Sequence, residues 1–355
     1  RSRPPLKKLF PIVAFIAVAL VSLAMAGFAY FATQEATRIK FEAMADDALN
    51  RIESRVDLHL SLLRATQALF DARNGKVSAA EFEAFFDALD IDGNFAGLHG
   101  IGYLRLVRAG DEAAVEGEIR QNFGFDRKIY PRSDQPWRAP ILLFEPLDAS
   151  NTAAIGYDMM SEPARRAAIE QAMQDNHQHA TRPLLLGAGT GADQTHPGFL
   201  VFVRLEVEAP QGADPATATT TAGFLFAAFR AGDLFQTALA KAPLLPVNIE
   251  VYDNDVDPQN LLFRSQAPPA SSFGDRLLAR RVMAAAGQSW TILFRPTDGF
   301  AAPSSRLIPV MLGLLGLLLA GAIALVARYQ ERAYDAVSQL HETTEKSLLE
   351  KDLML

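Results

Sequence analysis

One carboxylate in the sequence has surroundings suited to molecular recognition. Asp158 lies in the segment GYDMMSEPARR, residues 156–166, with Tyr157 and Met159 on either side. A carboxylate held in an apolar wall can accept hydrogen bonds from a small donor molecule. The alternative, which is the commoner one for such a residue, is an aspartate whose oxygens accept from nearby backbone N–H groups. The residue type leaves both interpretations open.

The same segment predicts the beginning of a helix. Ser161 is a candidate N-cap, while Glu162 and Pro163 suit the first turn, where a negative charge and a missing N–H are tolerated. Apolar residues then recur at helical spacing, and Arg165 is expected away from the apolar side. We therefore expect a helix over residues 162–176.

Three other motifs resemble ligand sites but lack the residues that such sites need. The glycine-rich run 187–191 looks like a phosphate loop, yet no helical pattern follows it. The acidic run 253–257 alternates like a calcium loop, but Pro258 replaces the required glycine, so we expect a turn. His177 and His179 lie in a polar stretch with no third ligand identified. The sequence predicts no catalytic residue, no metal site and no cofactor.

Composition excludes several classes of protein. The chain has 355 residues and a net charge of −7, so we expect no nucleic-acid partner. It has no cysteine, which excludes disulfides, thiolate metal sites and cysteine nucleophiles. The length is enough for two or three compact units.

Two uncharged stretches, residues 9–32 and 307–327, are long enough to cross the ~30 Å hydrocarbon core as helices. Residues 1–8 are basic without an acid, which predicts a cytoplasmic tail. A cleaved signal peptide is the competing interpretation of the first stretch, but its apolar region would be only ~7–15 residues. Two spans place both ends in the cytoplasm and residues 33–305 outside it.

The second stretch carries small residues along one strip. They are Gly313, Gly316, Ala320 and Gly321. Such a strip lets two helices approach closely, although glycines that lipid merely tolerates would give the same pattern.

The outer region begins with a long helical pattern, residues 33–74, which Asn74 and Gly75 are expected to stop. A helix of ~40 residues exceeds the usual globular length of ~8–20, so we expect a stalk that pairs with its copy in a homodimer. The recurring face consists of Phe41, Ala45, Ala48, Ile52, Val56, His59, Leu63, Thr66 and Phe70.

The remaining pattern predicts an α+β fold with two tandem PAS-like antiparallel-sheet domains. The membrane-distal domain is expected at 75–208 and the membrane-proximal one at 223–305, joined by a loop at 209–222 rich in Pro, Thr and Ala. The strand candidates are 100–106, 139–144, 183–186 and 198–206 in the first domain, and 223–229, 247–252, 261–265 and 289–294 in the second. Residues 328–355 form a polar helical pattern, expected to be a coiled-coil connector.

Three segments resemble the CHASE sensor domain of plant cytokinin receptors and of many bacterial kinases and cyclases. They are GLHGIGYLRLV (97–107), FEPLDASNTAAIGYDMMSEPARRAAIEQA (144–172) and GFLVFVRLE (198–206). The resemblance covers roughly residues 40 to 300. It implies a stalk helix, a distal PAS-like domain that binds ligand and a proximal one, working as a dimer.

The resemblance also implies a set of site residues. In the cytokinin-binding members an aspartate of the DMMS segment accepts hydrogen bonds from an adenine-type ring, and Asp158 occupies that position in this chain. Backbone groups near Ala180 and Thr181 would complete the polar contacts, and apolar side chains would enclose the ring. Those candidates are Phe144, Met159, Leu184, Leu186 and Phe202. A longer insert than the family's pattern, 188–196, would reshape the mouth of the pocket.

The leading hypothesis is a membrane receptor module that binds a small molecule outside the cytoplasm. The final segment, EKSLLEKDLML, is similar to the lead-in before the phospho-accepting helix of HWE-type histidine kinases. Kinase chemistry and a response-regulator partner would then belong to residues after Leu355. The alternatives are a ligand-free structural spacer and a sensor for a cyclic-dinucleotide enzyme. Under the leading hypothesis, Asp158→Ala should abolish ligand-induced stabilisation and leave the fold intact.

Overall fold

The computed structural model describes residues 6–187, 196–208, 219–265, 276–301 and 307–352. They belong to two compact units, one made of residues 1–40 and 301–355 and the other of residues 41–300. The fold is α+β. Helices long and apolar enough to cross a membrane lie near both ends of the chain, and antiparallel sheets lie between them in sequence.

Helices and strands alternate irregularly along the chain between the two long terminal helices. The helices are α1 Leu6–Ala72, α2 Ala79–Asp87, α3 Ile91–Asn94, α4 Glu112–Phe123, α5 Ala149–Ala154, α6 Pro163–Gln174, α7 Ala231–Leu239 and α8 Leu307–Asp352. The strands are β1 Leu98–Arg105, β2 Val107–Arg108, β3 Trp137–Arg138, β4 Ile141–Glu145, β5 His179–Ala180, β6 Leu184–Leu186, β7 His196–Glu208, β8 Thr219–Arg230, β9 Val247–Asp253, β10 Leu261–Arg264, β11 Ala279–Ala285 and β12 Gln288–Pro296. Short 3₁₀ helices occupy Met159–Ser161 and Pro258–Asn260.

The α1 helix ends where the sequence predicts, since Asn74 and Gly75 both adopt positive φ. The recurring face of its second half, from Phe41 to Phe70, is buried in the core of the 41–300 unit. His59 lies on this face as a packed residue, with its ring nitrogens 2.7 Å from the Arg55 carbonyl and 3.2 Å from the Phe95 carbonyl. This face is therefore covered by the chain's own core, and the expected pairing of the stalk with a second copy stays a prediction that this face does not provide.

Within the unit made of residues 1–40 and 301–355, α8 lies close to the first part of α1. A Cβ on Gly316 would overlap the side chain of Ser22, and one on Gly313 would lie 3.5 Å from the Cβ of Ala26. Ala320 is fully buried, whereas nothing lies near Gly321. Three of the four small residues, Gly313, Gly316 and Ala320, are thus covered, and Gly321 is not.

The larger sheet has the order β4-β1-β8-β7-β5, with β6 paired to β7, and its pairings are all antiparallel. The strand predicted at 223–229 is β8, and it lies in the middle of this sheet rather than in the second domain. Phe226 on β8 is opposite Gly102 on β1 and Phe202 on β7. The expected boundary at 223 is therefore wrong. Most of the predicted loop 209–222 lies outside the described residues, and residues 219–222 belong to β8.

The smaller sheet has the order β10-β9-β12-β11. It contains the strands predicted at 247–252, 261–265 and 289–294, together with β11, which the sequence did not suggest. The acidic run 253–257 forms the connection between β9 and β10, as expected, with Asp257 accepting a hydrogen bond from Gln259 N at 2.8 Å.

Aromatic packing and hydrogen bonds to the backbone of Ala180 and Ala286 join the two sheets. The ring of Trp290 on β12 lies 5.0 Å from Phe199 on β7 and 5.9 Å from Phe235 on α7. Ala180 N donates to Ala286 O at 2.7 Å, and Gln288 Nε2 donates to Ala180 O at 2.8 Å. Ala286 and Gly287 both have positive φ, which is typical of the tight turn between two antiparallel strands. The second sheet is thereby fixed to the edge strand of the first.

Candidate functional site

A small cavity lies between the larger sheet and the helical segment from α5 to α6. It encloses about 30 Å³, enough for about one water molecule. It is lined by His99, Ile141, Phe144, Ser150, Asn151, Ala154, Met159, Arg165, Leu186, Gly187, Leu200, Phe226 and Ala228. The segment that closes it belongs to the GYDMMSEPARR region singled out in the sequence.

Glycines on β1 make room for the aromatic side of this cavity. A Cβ on Gly100 would lie 2.6 Å from the Phe144 ring, and one on Gly102 would overlap the Phe226 ring. The two rings pack with their centroids 5.0 Å apart. Alternate glycines in a strand permit this close approach, and they were a signal in GLHGIGY that the sequence interpretation did not use.

Three of the predicted site residues line the cavity: Phe144, Met159 and Leu186. Leu184 is half-buried in β6 opposite Gly198, and Phe202 is fully buried in β7. Neither of these two residues contributes to the cavity wall.

The groups of Ala180 and Thr181 that were predicted to contact a ligand are hydrogen-bonded to other residues of the chain. Thr181 N donates to Leu200 O at 2.8 Å, and Thr181 Oγ1 accepts from Leu200 N at 3.1 Å. Ala180 bonds to the second sheet through both its N–H and its carbonyl. These residues therefore connect a cavity-lining residue, Leu200, to the second sheet.

Asp158 is fully buried, and its carboxylate points into the backbone around it. Oδ1 accepts from Ala139 N at 2.8 Å and from Met160 N at 3.0 Å. Oδ2 accepts from Ser133 Oγ at 3.4 Å and lies 3.8 Å from Arg138 Nη1. Burial raises the pKa of Asp158, and the two backbone N–H groups oppose that shift. Asp158 is not among the residues that line the cavity; it caps the 3₁₀ turn that places Met159 there.

The beginning of α6 differs from the prediction. Glu162, not Ser161, is the N-cap, and its carboxylate accepts from Ala164 N at 3.1 Å and Arg165 N at 2.9 Å. Ser161 is held in the 3₁₀ turn, where its Oγ donates to Asp158 O at 2.6 Å. Pro163 at the first helical position then fixes the start of the helix.

Arg165 is the residue of this site that the sequence interpretation placed wrongly. It is only 3% exposed and lines the cavity, because it shares the buried face of α6 with Ala168, Ile169 and Ala172. The signal was available in the spacing, since positions 165, 168, 169 and 172 fall on one side of a helix. A cationic side chain within an apolar helical stripe is expected to be buried with the stripe, as Arg165 is.

A chain of hydrogen bonds joins the sheet side of the cavity, at His99 on β1, to Asn151 on α5. Arg230 Nη2 lies 2.9 Å from His99 Nδ1, and because arginine only donates, Nδ1 accepts and the ring proton sits on Nε2. His99 is also hydrogen-bonded to the side chain of Asn151, whose Nδ2 donates to Pro146 O at 2.8 Å. Burial, and then the charge of Arg230, lower the pKa of His99, so its ring is uncharged at neutral pH.

The two histidines noted in the sequence are not part of the cavity. His179 Nε2 lies 2.8 Å from Asp175 Oδ1, and His177 Nδ1 lies 3.6 Å from Asp175 Oδ2. The glycine-rich run 187–191 and the insert 188–196 fall largely outside the described residues.

The cavity thus has a mostly apolar lining with a few polar groups, and it lies between a sheet and short helices. Residues 75–263 match the family model of the CHASE domain. The match covers more than half of the chain, and the chain belongs to the CHASE-domain family. The two apolar helices flank this sensor domain, as in a transmembrane receptor whose middle part lies outside the cytoplasm.

Solved structures with a similar arrangement include several sensor domains. A methyl-accepting chemotaxis protein X has a TM-score of 0.41 and 11% identity, over 73% of this chain and 97% of its own. The ligand-binding domain of the Pseudomonas aeruginosa amino acid chemoreceptor PctC, in complex with GABA, has a TM-score of 0.36 and 12% identity, over 71% and 96%. The periplasmic domain of RsbU from Chlamydia trachomatis has a TM-score of 0.37 and 10% identity, over 74% and 93%. At such values these proteins do not indicate a ligand for this chain. No curated protein matches the sequence significantly.

Proposed function

We propose that the chain is the sensing half of a receptor in the bacterial inner membrane. A small molecule binds in the cavity lined by Phe144, Met159 and Leu186, and residues 33–305 lie in the periplasm with both ends in the cytoplasm. The observation that carries this proposal is the cavity itself, which lies inside a CHASE domain flanked by two apolar helices.

The cavity must enlarge to take a ligand of more than a few atoms, since it now encloses about 30 Å³. Outward movement of the segment from α5 to α6 is the shortest route, because that segment forms one wall against a sheet that is tied together by hydrogen bonds. Binding would then favour the enlarged state by the difference in its affinity for the two states.

A chain of contacts leads from the cavity to α1. Leu200 is bonded to Thr181, and Ala180 is bonded to the turn at Ala286. Strand β11, which leads into that turn, carries Arg281. Arg281 pairs with Glu42 on α1, beyond the predicted span along the same helix. We propose that a ligand moves this chain of contacts and that the connector at 328–355 carries the change onward in a homodimer.

The output domain proposed to follow Leu355 is a histidine kinase, supported by the similarity of the final segment to the lead-in of HWE-type kinases. Phosphate transfer from ATP to a histidine, and then to a response regulator, would distinguish it from a cyclic-dinucleotide enzyme, which would consume GTP.

A second candidate is the ligand-free spacer, and two observations favour it. The cavity is small, and Asp158, through which the family resemblance implies an adenine-type ligand, is occupied by backbone N–H groups. A spacer would bind nothing and would transmit only movements of its partners.

Thermal unfolding of the full chain in lipid nanodiscs separates the two candidates. The panel contains adenine derivatives, small carboxylates and uncharged amphiphiles. Ala154→Leu fills the cavity, and Ala149→Leu, on the exposed side of the same helix, is the matched control. If the chain is a sensor, at least one compound raises the melting temperature of the parent and of Ala149→Leu but not that of Ala154→Leu. Silence of the whole panel supports the spacer, and equal shifts in all three proteins show binding outside this cavity and so contradict the proposed site.

A further inference from the structure

The charge on the walls of the cavity is one-sided. Among the described residues that line it, none is acidic, and His99 is uncharged at neutral pH because burial and Arg230 lower its pKa. Among these described wall residues, Arg165 is the charged one. The rest of the lining is mostly apolar, so the charge acts in surroundings of low dielectric constant, where it is strong.

The contacts of Arg165 fix its guanidinium at the wall. The guanidinium carbon lies 4.9 Å from the centre of the Tyr157 ring, and Nη1 lies 3.8 Å from the sulfur of Met159, which also lines the cavity. On the other side, Nε lies 3.9 Å from Glu162 Oε2, the carboxylate that caps α6. A planar group held by a ring, a thioether and a helix cap presents its charge to the cavity in a defined orientation, as recognition of an anion requires.

We infer that the ligand of this cavity is a small monocarboxylate with an apolar body, whose carboxylate binds the guanidinium of Arg165. The inference rests on the proposed function, since it names the ligand class of the same site.

The chemistry of the cavity wall fits each part of such a molecule. A guanidinium can donate two parallel hydrogen bonds to a carboxylate, which ammonium groups cannot match in geometry. The apolar body would contact the rings of Phe144 and Phe226 and the side chain of Leu186. The lack of an acid among the described wall residues disfavours cationic ligands, including zwitterions with an unmatched ammonium group.

The test compares acids with their own amides on the full chain in nanodiscs. The probes are isobutyrate, isovalerate and phenylacetate, each paired with the corresponding amide, and the readouts are titration calorimetry and the melting temperature. The variants are Arg165→Met, which keeps much of the side-chain volume without charge, and Arg165→Lys. Arg166→Met is the matched control, since Arg166 is the next residue on α6 and its Nη1 donates to Met160 O at 3.1 Å, outside the cavity.

At least one acid should bind at least tenfold more tightly than its amide. Arg165→Met should weaken that acid tenfold or more, Arg165→Lys should weaken it less, and Arg166→Met should leave it unchanged. Near-ultraviolet circular dichroism checks that each variant is folded. If Arg165→Met fails to fold, the preference of the parent for acid over amide still decides the matter.

Equal binding of acids and amides, or no binding of any acid, overturns the inference. If no acid binds, an uncharged compound from the wider panel can still bind the parent and fail to bind Ala154→Leu. That result keeps the proposed function and overturns only the inference that the ligand is a carboxylate. Failure of every compound removes the proposed function as well.

Discussion

Arg281 on β11 donates from Nη2 to Glu42 on α1 at 2.6 Å, so the second sheet is held directly against the long helix. Its Nε also donates to Asp46 Oδ1 at 2.8 Å, one helical turn further along. One guanidinium thus bridges two carboxylates on the same face of α1. This clamp is the last contact in the chain that leads from the cavity.

Arg281→Met should loosen this clamp. The groups are partly exposed, and such ion pairs contribute less than about 1 kcal/mol each, so we expect a loss of about 1 kcal/mol in the free energy of unfolding. Amide hydrogen exchange should rise around Glu42 and Asp46. Arg280→Met, at the exposed neighbouring position, should change neither quantity. Unchanged exchange in Arg281→Met would mean that the clamp does not hold α1.

Asp158→Ala should destabilise the fold. The substitution leaves the N–H groups of Ala139 and Met160 without their acceptor in a fully buried place. An unsatisfied buried donor costs roughly 1–3 kcal/mol, so we expect a loss of about 2–4 kcal/mol, measured by denaturant unfolding. Asp158→Asn keeps one acceptor oxygen and should cost less. Full stability of Asp158→Ala would favour the direct ligand contact implied by the family resemblance.

Glu145 should make stability depend on pH. Burial raises the pKa of Glu145 from 4.5 to about 7; Leu147 N–H opposes the shift, and Glu83 and Asp87 on α2 add to it. The folded protein therefore keeps a proton that the unfolded chain releases above pH 4.5. Stability from this group is full below about pH 4.5 and falls as the pH rises to about 7.

Glu145→Gln should flatten the dependence over that interval, measured as the free energy of unfolding against pH. Glu170→Gln, on the exposed side of α6, is the control and should keep the parent's slope. A slope of the parent's size in Glu145→Gln would assign the effect to other groups.

The absence of cysteine permits a direct test of the contact between α1 and α8. The Cβ atoms at positions 26 and 313 would lie 3.5 Å apart, within the disulfide range of about 3.5–4.5 Å. Ala26→Cys with Gly313→Cys should form an intramolecular disulfide on oxidation in membranes, seen as a faster-moving monomer on gels. Ala26→Cys with Gly321→Cys should not, since nothing lies near Gly321. A product found only as a dimer would place the contact between two copies.

The sequence predicted the elements whose residues carry regular patterns. The stop of α1 followed from Asn74 and Gly75. The sequence also identified the side of α1 that is buried. What covers this face was left open, because a periodic stripe shows that one side of a helix is covered but does not show whether a sheet or a second helix covers it.

Long-range pairing was the part that the sequence could not supply. The Pro- and Thr-rich run near residues 209–222 suggested a domain boundary, although β7 and β8 on either side of it are neighbours in one sheet. Composition describes a connection but not which strands it joins. The role of Asp158 was open for a similar reason, since only the fold brings Ala139 N–H to its carboxylate.

The position of the sensor domain relative to the membrane is the claim on which the account depends. Single cysteines can be introduced at Ala65 on α1 and Ala336 on α8, both exposed, and labelled in intact cells with a maleimide that crosses the outer but not the inner membrane. We predict labelling of Ala65→Cys in intact cells, and labelling of Ala336→Cys only after the inner membrane is opened. Labelling of Ala336→Cys in intact cells with protection of Ala65→Cys would contradict the account.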